Sequence, residues 1–459
     1  MKNLITPHTT PNPLTPRPHQ LRLADVGYDI LVKNGLCYDV SSERVGKSLT
    51  TILIVEKSSV RKNCLILTKK AAIPDWLKLL RSYSITKNYH VINYESAHKI
   101  DLDVFTPDII VADEAHHRLS AYPKPSKTLI TVGNLISEAA RRNNEIGLPI
   151  IYLSATPHAE SYSQLYHQLR ISPWSPFREY TNFYKWFKHY GVPKVQYLGS
   201  RQIVKYDKTR DERIKPLFDK LTYGITRQEA GFTEEPNDII HYVPLNTQTI
   251  DLISTLIKDE LLEHETLINV TESTIPSNVG VPDTVPIESL AAEYSKIHQI
   301  EGGTLKVDVP ATPTQATQRS AMSLILKNSE KIDYIKTNFG DTDKLAIMYH
   351  YQAEQIKLNR HFTNALILQA DKFAEGISLK DIDHLVIYSM SWRTSKYIQR
   401  RARQADYTRK TPINVHYLLS DAPQPHKDKL ISNKVYTCVA QKNINFNTRN
   451  AKLLQDHQS

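Results

Sequence analysis

The chain has 459 residues, 40% of them hydrophobic and 23% charged, with a formal net charge of +10. That length exceeds one ordinary domain and that apolar share suffices to pack cores, so gross disorder is excluded. No run nears the roughly twenty apolar residues that span a bilayer, and the polar start "MKNLITPHTTPNPLTPRPHQ" lacks the apolar block of a signal peptide, so a soluble, cytoplasmic protein without a membrane partner is expected. Three cysteines, Cys37, Cys64 and Cys438, lie far apart and form no C-x-x-C pair, which argues against a disulfide framework or zinc knuckle. The surplus of positive charge favours a polyanionic partner.

Residues 1–17 read as a flexible arm. The apolar spacing of "HQLRLADVGYDILVKN" predicts a helix. "GLCYDV" (35–40) is a short apolar run, and the periodicity of "SLTTILIVEK" after it fits helix or strand. Strands are then predicted over 63–68, 90–94, 108–113 and 149–155, with helices over "IPDWLKLLRSY" and "KTLITVGNLISEAARRN". Short apolar strands alternating with helices imply a parallel, doubly wound sheet. Residues 172–228 are aromatic and basic and extend a first domain of residues 18–228. Within them, "FYKWFKHYGVPK" fits a base-stacking or strand-separating surface and equally an aromatic core helix with snorkelling lysines. A junction is expected around 230–240, one amphipathic helix over "IDLISTLIKDELLEHETLI", and a long Pro/Thr/Ser-rich loop over 270–320, within an insertion of about 265–320. Strands over 344–350, 365–369, 384–390 and 413–419 give a second α/β domain within 229–459.

Gly46-Lys47-Ser48 stands between an apolar run and a helix-compatible segment, the context of a phosphate-binding loop, although Ser41 takes the place of the usual upstream glycine. Amide N–H groups at a helix start would face phosphates, Lys47 would reach the β/γ-phosphates and Ser48 would offer an oxygen to Mg²⁺. Such a tripeptide arises by chance in a chain of this size with odds of roughly one in five. The second element is therefore decisive. "DIIVADEAHH" runs a strand into Asp113, a carboxylate suited to hold Mg²⁺ through water, and Glu114, suited to polarise an attacking water. The histidines show no ligand spacing for zinc.

"VADEAHH" resembles the DEAH box of superfamily-2 helicases and translocases, and "LSATP" (Leu153 to Pro157) resembles their motif III. "LILTKKAAIPDWLKLL" is similar to motif Ia, "VINYESAHK" to the segment after it, "LILQADKFAEGISL" to motif V and "YIQRRARQADYTRKTPINVHYLL" to motif VI. The resemblance extends from about residue 17 to 420. It implies an α/β fold of two tandem RecA-like domains, with the ATP site in the cleft between them. It also implies that Gln20 of "PHQ" reads adenine, and that Arg44, Val45, Gly46, Lys47, Ser48, Leu49, Gly376 and Gln399 line the ATP. His116, Ser154 and Thr156 would couple the nucleotide site to the second domain.

Motif VI departs from the family pattern, because Gln399 and Arg403 fit but Asp406 stands where another arginine is usual. Arg403 is thus the first candidate for neutralising charge on the γ-phosphate, Arg400 the second, and Arg409 a third if the helix end is displaced. DNA contacts are expected from Thr68, Lys69, Lys70, Tyr94, Ser96, Arg118, Lys372, Trp392 and Arg393. "SERVGKS", "IPDW" and "SMSWRTSKYIQ" resemble phage-encoded relatives of the chromatin-remodelling translocases. The implied function is an ATP- and Mg²⁺-dependent DNA helicase or translocase, monomeric off DNA. It would remodel or unwind duplex, forked or branched DNA in phage replication, recombination or repair. The alternatives are the motor of a restriction or nuclease system, and a non-hydrolysing DNA clamp.

Overall fold

The apolar runs form two parallel β-sheets flanked by helices in a computed structural model, which describes the chain apart from residues 1–2, 12, 199–200, 273–283, 287–288, 310–319, 371–378 and 456–459. The chain divides into two compact units, Met1–Phe232 with Lys442–Ser459, and Thr233–Gln441. The expected class, tandem RecA-like α/β domains, is the one observed.

The first unit runs β1 (Leu4–Ile5), α1 (Pro18–Asn34), β2 (Leu36–Asp39), α2 (Lys47–Lys57), β3 (Asn63–Thr68), α3 (Ile73–Arg81), β4 (Asn88–Asn93), β5 (Ile109–Asp113), α4 (Ala115–Arg118), α5 (Lys127–Arg142), β6 (Ile150–Leu153), α6 (Ser163–Arg170), α7 (Phe183–Tyr190), β7 (Lys194–Leu198), β8 (Arg201–Lys205), α8 (Asp211–Asp219) and β9 (Thr222–Tyr223). Its sheet has the order β1-β4-β3-β5-β6-β2-β9 and is parallel except for β1. Strands β2, β3, β5 and β6 read as continuous apolar runs because both faces are covered, and Leu36, Leu65, Ile66, Ile110, Val111 and Ile151 are fully buried. Helix α1 begins on Pro18, whose missing N–H is harmless in a first turn. It ends at Gly35, whose left-handed φ of 69° lets its N–H reach Leu31 O at 2.8 Å.

Residues 1–17 do not form the expected free arm. β1 adds antiparallel to β4, His8 bridges Ile85, and Leu14 N–H donates to Ser82 O at 2.9 Å. Sheet-edge hydrogen bonds outweigh the mobility that the proline content suggests. Helix α7 decides between the two readings of "FYKWFKHYGVPK". Phe183, Trp186, Phe187 and Tyr190 are buried while Lys185 and Lys188 face solvent, so it is a core helix. Its aromatics join Tyr166 and Phe177 in one cluster continuous with the core of the sheet.

The second unit runs β10 (Pro236–Pro244), α9 (Thr247–Asp259), β11 (Leu261–Glu263), α10 (His264–Val270), β12 (Thr284–Pro286), α11 (Leu290–Glu301), β13 (Thr304–Val309), β14 (Ser320–Ile325), α12 (Glu330–Phe339), β15 (Leu345–Tyr349), α13 (Gln352–His361), β16 (Leu366–Gln369), β17 (His384–Ile387), α14 (Thr394–Arg401) and β18 (Ile413–Asp421), and α15 (Ile431–Gln455) follows. Its sheet, β10-β18-β17-β15-β16, is parallel throughout. The two units divide between Phe232 and Thr233, inside the expected junction of 230–240, and edge strand β10 starts just after that division. Two expectations fail here. The single helix over 250–268 breaks at Glu260, which adopts φ 56°, so that Leu262 can pair with Val285 and become buried. The presumed loop of 270–320 holds α11, with Ile297 and Ile300 buried, and the start of a β13–β14 pair.

This unit buries ionisable groups. Glu354 Oε2 accepts from Ser389 Oγ at 2.5 Å and from Tyr351 N–H at 2.9 Å, and burial pushes the carboxyl up to about 7 from an ordinary 4.5. Between those two values the folded state holds a proton that the unfolded chain has released. Glu354 therefore favours folding fully below pH 4.5, and that advantage disappears as pH rises through 7. We expect the unfolding free energy of Glu354→Gln, relative to wild type, to gain on the order of 3 kcal/mol between mildly acidic pH and pH 8. Denaturant titrations of both proteins across that range check it, and a difference independent of pH would refute it.

Candidate functional site

Three candidate motifs meet because their strands are neighbours. β2 pairs β6 with Asp39 opposite Leu153, and β5 pairs β6 with Asp113 opposite the same Leu153. The loops that leave these carboxyl ends are the phosphate-loop candidate (40–46), Glu114-Ala115-His116 and Ser154-Ala155-Thr156. In parallel α/β sheets such strand ends are where ligands are held.

The loop from Ser41 to Gly46 takes its shape from backbone conformation and from below. Arg44 adopts φ 70° and Gly46 φ 95°, and α2 starts directly after, with Leu49 N–H on Gly46 O at 3.1 Å. A Cβ at Gly46 would collide with the Gln20 amide, so a side chain there is barred on two counts. Asp39 Oδ1 accepts from Ser41 N–H at 2.9 Å, and Ser41 Oγ accepts from Ile225 N–H at 3.2 Å, so Ser41 serves as a fixed post of the loop. Lys47 Nζ donates to Ser41 O and Ser42 O, both at 2.9 Å, which holds the ammonium over the loop. Burial raises the pKa of Asp39, and the nearby Lys47 opposes that shift. Glu43 pairs with Arg227 at 3.1 Å. Gln20 Nε2 donates to Gly46 O at 3.1 Å while its Oε1 accepts from Arg17 N–H at 2.9 Å, and His19 Nε2 lies 3.1 Å from Val45 O. Val45 and Leu49 are buried, and Ser48 stands half-buried in the first turn of α2.

Asp113 is oriented through one oxygen. Its Oδ2 accepts from Thr68 Oγ1 at 2.6 Å and from the Trp76 indole at 2.9 Å, and its backbone carbonyl accepts from Tyr94 OH at 2.8 Å. Lost solvation and the adjacent Glu114 charge raise its pKa, while Thr68 and Trp76 pull it down. Glu114 has φ 50°, an unusual conformation for a non-glycine residue. Its carboxylate approaches His116 Nδ1 at 3.3 Å. That nitrogen is 2.7 Å from Ser154 Oγ, and His116 Nε2 is 3.4 Å from Thr156 Oγ1. Ser154 Oγ also accepts from Thr156 N–H at 2.9 Å. Glu114, His116, Ser154 and Thr156 thus form one chain of contacts beside the loop.

Several expected DNA contacts are elsewhere. Thr68 and Tyr94 are buried and committed to Asp113, so they are unavailable to a polymer. Arg118 pairs with Glu95. Lys70, Trp392 and Arg393 are exposed, and Lys69 and Ser96 are half-buried. Lys372 and Gly376 lie outside the described residues.

In the second unit Gln399, Arg400 and Arg403 are buried at the end of α14 and just after it. Arg409 is excluded as a third candidate. Its guanidinium donates to the carbonyls of Thr411, Lys380, Ile382 and Pro412, which makes it a structural clamp. Asp406, in the place of the usual arginine, accepts from Thr408 N–H at 2.9 Å and closes a turn. Asp39 and Trp76 were not singled out from the sequence. Each is one ordinary residue in a strand or helix, and only the sheet order brings them to the site.

Residues 311–408 match the family model described as the helicase conserved C-terminal domain. That match lies wholly within the second unit and supports a helicase without distinguishing its branches. No curated protein matches the chain in sequence. Among solved structures, the chain is similar to an ATP-dependent Type ISP restriction-modification enzyme, LlaBIII, bound to DNA, with 12% identity and a TM-score of 0.47. The similarity covers 96% of this chain and 30% of that one, so this chain spans under a third of that enzyme. Among the described residues no helix is long and apolar enough to cross a membrane.

Proposed function

We propose that the chain is an ATP-dependent motor on DNA, a helicase or translocase of the DEAH type that remodels duplex, forked or branched DNA. We assign it the phage-encoded branch related to chromatin-remodelling translocases, with roles in replication, recombination or repair, as a monomer off DNA in the host cytoplasm. The observation that carries this reading is the gathering of Lys47, Asp113-Glu114 and Ser154/Thr156 at the ends of three adjacent parallel strands.

The residues present fit ATP with Mg²⁺. Gly46 permits close approach of phosphate oxygens to the start of α2, Lys47 offers a pre-positioned ammonium, and Asp113, held through Oδ2, has its second oxygen to give a cation. Ser48 would complete the cation's protein ligands, and Gln20 would face the base. When bound, the nucleotide supplies the free energy of phosphoanhydride hydrolysis. Glu114 is the group to accept a proton from water, and its contact with His116 links that carboxylate to Ser154 and Thr156. Arg403 and Arg400 are assigned the neutralisation of phosphate charge.

The reading is tested by phosphate release from purified protein with ATP and Mg²⁺, with and without duplex and forked DNA. Turnover is expected to rise on adding DNA. Turnover that ignores DNA would sink the motor, and DNA cleavage in the same reaction would make it the motor of a nuclease system.

A further inference from the structure

The stretch over 184–213 lies outside the helicase-like motifs named above, yet it holds eight Lys and Arg against three acidic residues, about half of the chain's net charge of +10. Its structure separates apolar from charged groups. Helix α7 turns its aromatics inward, with Tyr184 the exception at the surface, and leaves Lys185 and Lys188 outside. β7 and β8 then form a two-stranded antiparallel ribbon whose register sets Lys194 directly opposite Lys205.

Directly opposed residues share a face, and like charges there destabilise the pair. Lys194, Lys205 and Lys208 are exposed, and among the described residues no carboxylate pairs with them or with Lys185 and Lys188. The base of the ribbon is anchored. Val192 N–H donates to Lys208 O at 2.9 Å, and Arg210 Nη1 donates to His189 O at 2.8 Å and Gly191 O at 2.6 Å. An opposed pair of exposed lysines on an anchored two-stranded ribbon, with further exposed lysines in the same segment, is a concentration of positive charge that suits an anionic polymer. With most aromatics of α7 inside, base stacking gives way to phosphate contact, which positions a duplex without reading its sequence.

We propose that α7 and the β7–β8 ribbon form a backbone contact for double-stranded DNA, in which Lys185, Lys188, Lys194, Lys205 and Lys208 neutralise phosphates. The identity of the polyanion rests on the DNA-motor reading, and the surface adds where that motor holds its track.

The test is duplex-DNA affinity without nucleotide, over a range of salt, for wild type and a Lys194→Gln/Lys205→Gln/Lys208→Gln variant. A Lys33→Gln/Lys62→Gln/Lys124→Gln variant, changed at exposed lysines elsewhere, matches the loss of overall charge. The ribbon variant is expected to bind roughly tenfold to a hundredfold more weakly, with a slope of log Kd against log salt reduced by about 2 to 3. The control should lose much less. Equal losses in the two variants, an unchanged slope, or a wild type that does not bind duplex DNA would each overturn the proposal. A loss seen only with duplex RNA of the same sequence would overturn its partner. Because nucleotide is absent, failure of DNA-stimulated ATP turnover leaves this result standing. Stimulated turnover with unaltered affinity in the variant sinks the ribbon alone.

Discussion

Lys47→Ala is expected to lower ATP turnover at least about a hundredfold, the scale of removing one electrostatic donor from a phosphoryl-transfer site. The ammonium rests on two carbonyls of its own loop, Ser41 O and Ser42 O, each at 2.9 Å. It is therefore positioned before any ligand arrives and requires little reorganisation. Alanine removes the charge and also leaves those carbonyls to solvent. Lys47→Arg should not restore turnover, because a planar guanidinium cannot replace a compact charge between two convergent carbonyls. Steady-state phosphate release decides the matter, with a denaturation curve to show that each variant is folded. Near-wild-type turnover in folded Lys47→Ala would remove the phosphate-loop assignment.

Trp186→Ala is expected to destabilise the first unit by about 3 to 5 kcal/mol, the range for deleting a large buried aromatic. Trp186 is fully buried, with ring centroids of Tyr166 at 5.4 Å, Phe177 at 5.5 Å, Phe183 at 5.5 Å and Tyr190 at 5.4 Å. A cavity at the centre of that cluster has no loose neighbour to fill it. Its indole N–H meets no acceptor among the described residues. Trp186→Phe should therefore cost much less, since no hydrogen bond is lost and most ring contact is kept. Chemical denaturation of the two variants compares them directly. Equal small losses would show the cluster to be peripheral to stability.

The sequence carried the strands because both-sided burial writes itself as apolar runs: "NCLILT", "DIIVAD" and "HLVIYSM" need no tertiary knowledge to be read. It carried the phosphate loop and the Asp113-Glu114 pair because these are contiguous. It could not tell which contiguous polar residues look inward. Thr68 and Tyr94 have the composition of surface contacts, and only the pairing of β3 with both β4 and β5 turns them onto Asp113. The break at Glu260 was equally hidden, since the periodicity of 250–268 continues through it while the pairing partner of Leu262 lies more than twenty residues away at Val285. Arg409 had the right residue type near the right place. Its four carbonyl partners are distributed on both sides of it in the chain, so no local pattern announces them.

The two sheets differ at their borders. The first is bordered by β1 and β9, each only two residues long. Strands so short offer a foreign chain almost no ladder to extend. The second is bordered on one side by β10, nine residues long, with Ile240 and Tyr242 exposed and a proline at each end. Proline cannot donate to a ladder, so an intruding strand could grow there only over the residues between Pro236 and Pro244. Self-association through strand addition at the β10 border is therefore confined to a short ladder that the chain closes with a proline at each end.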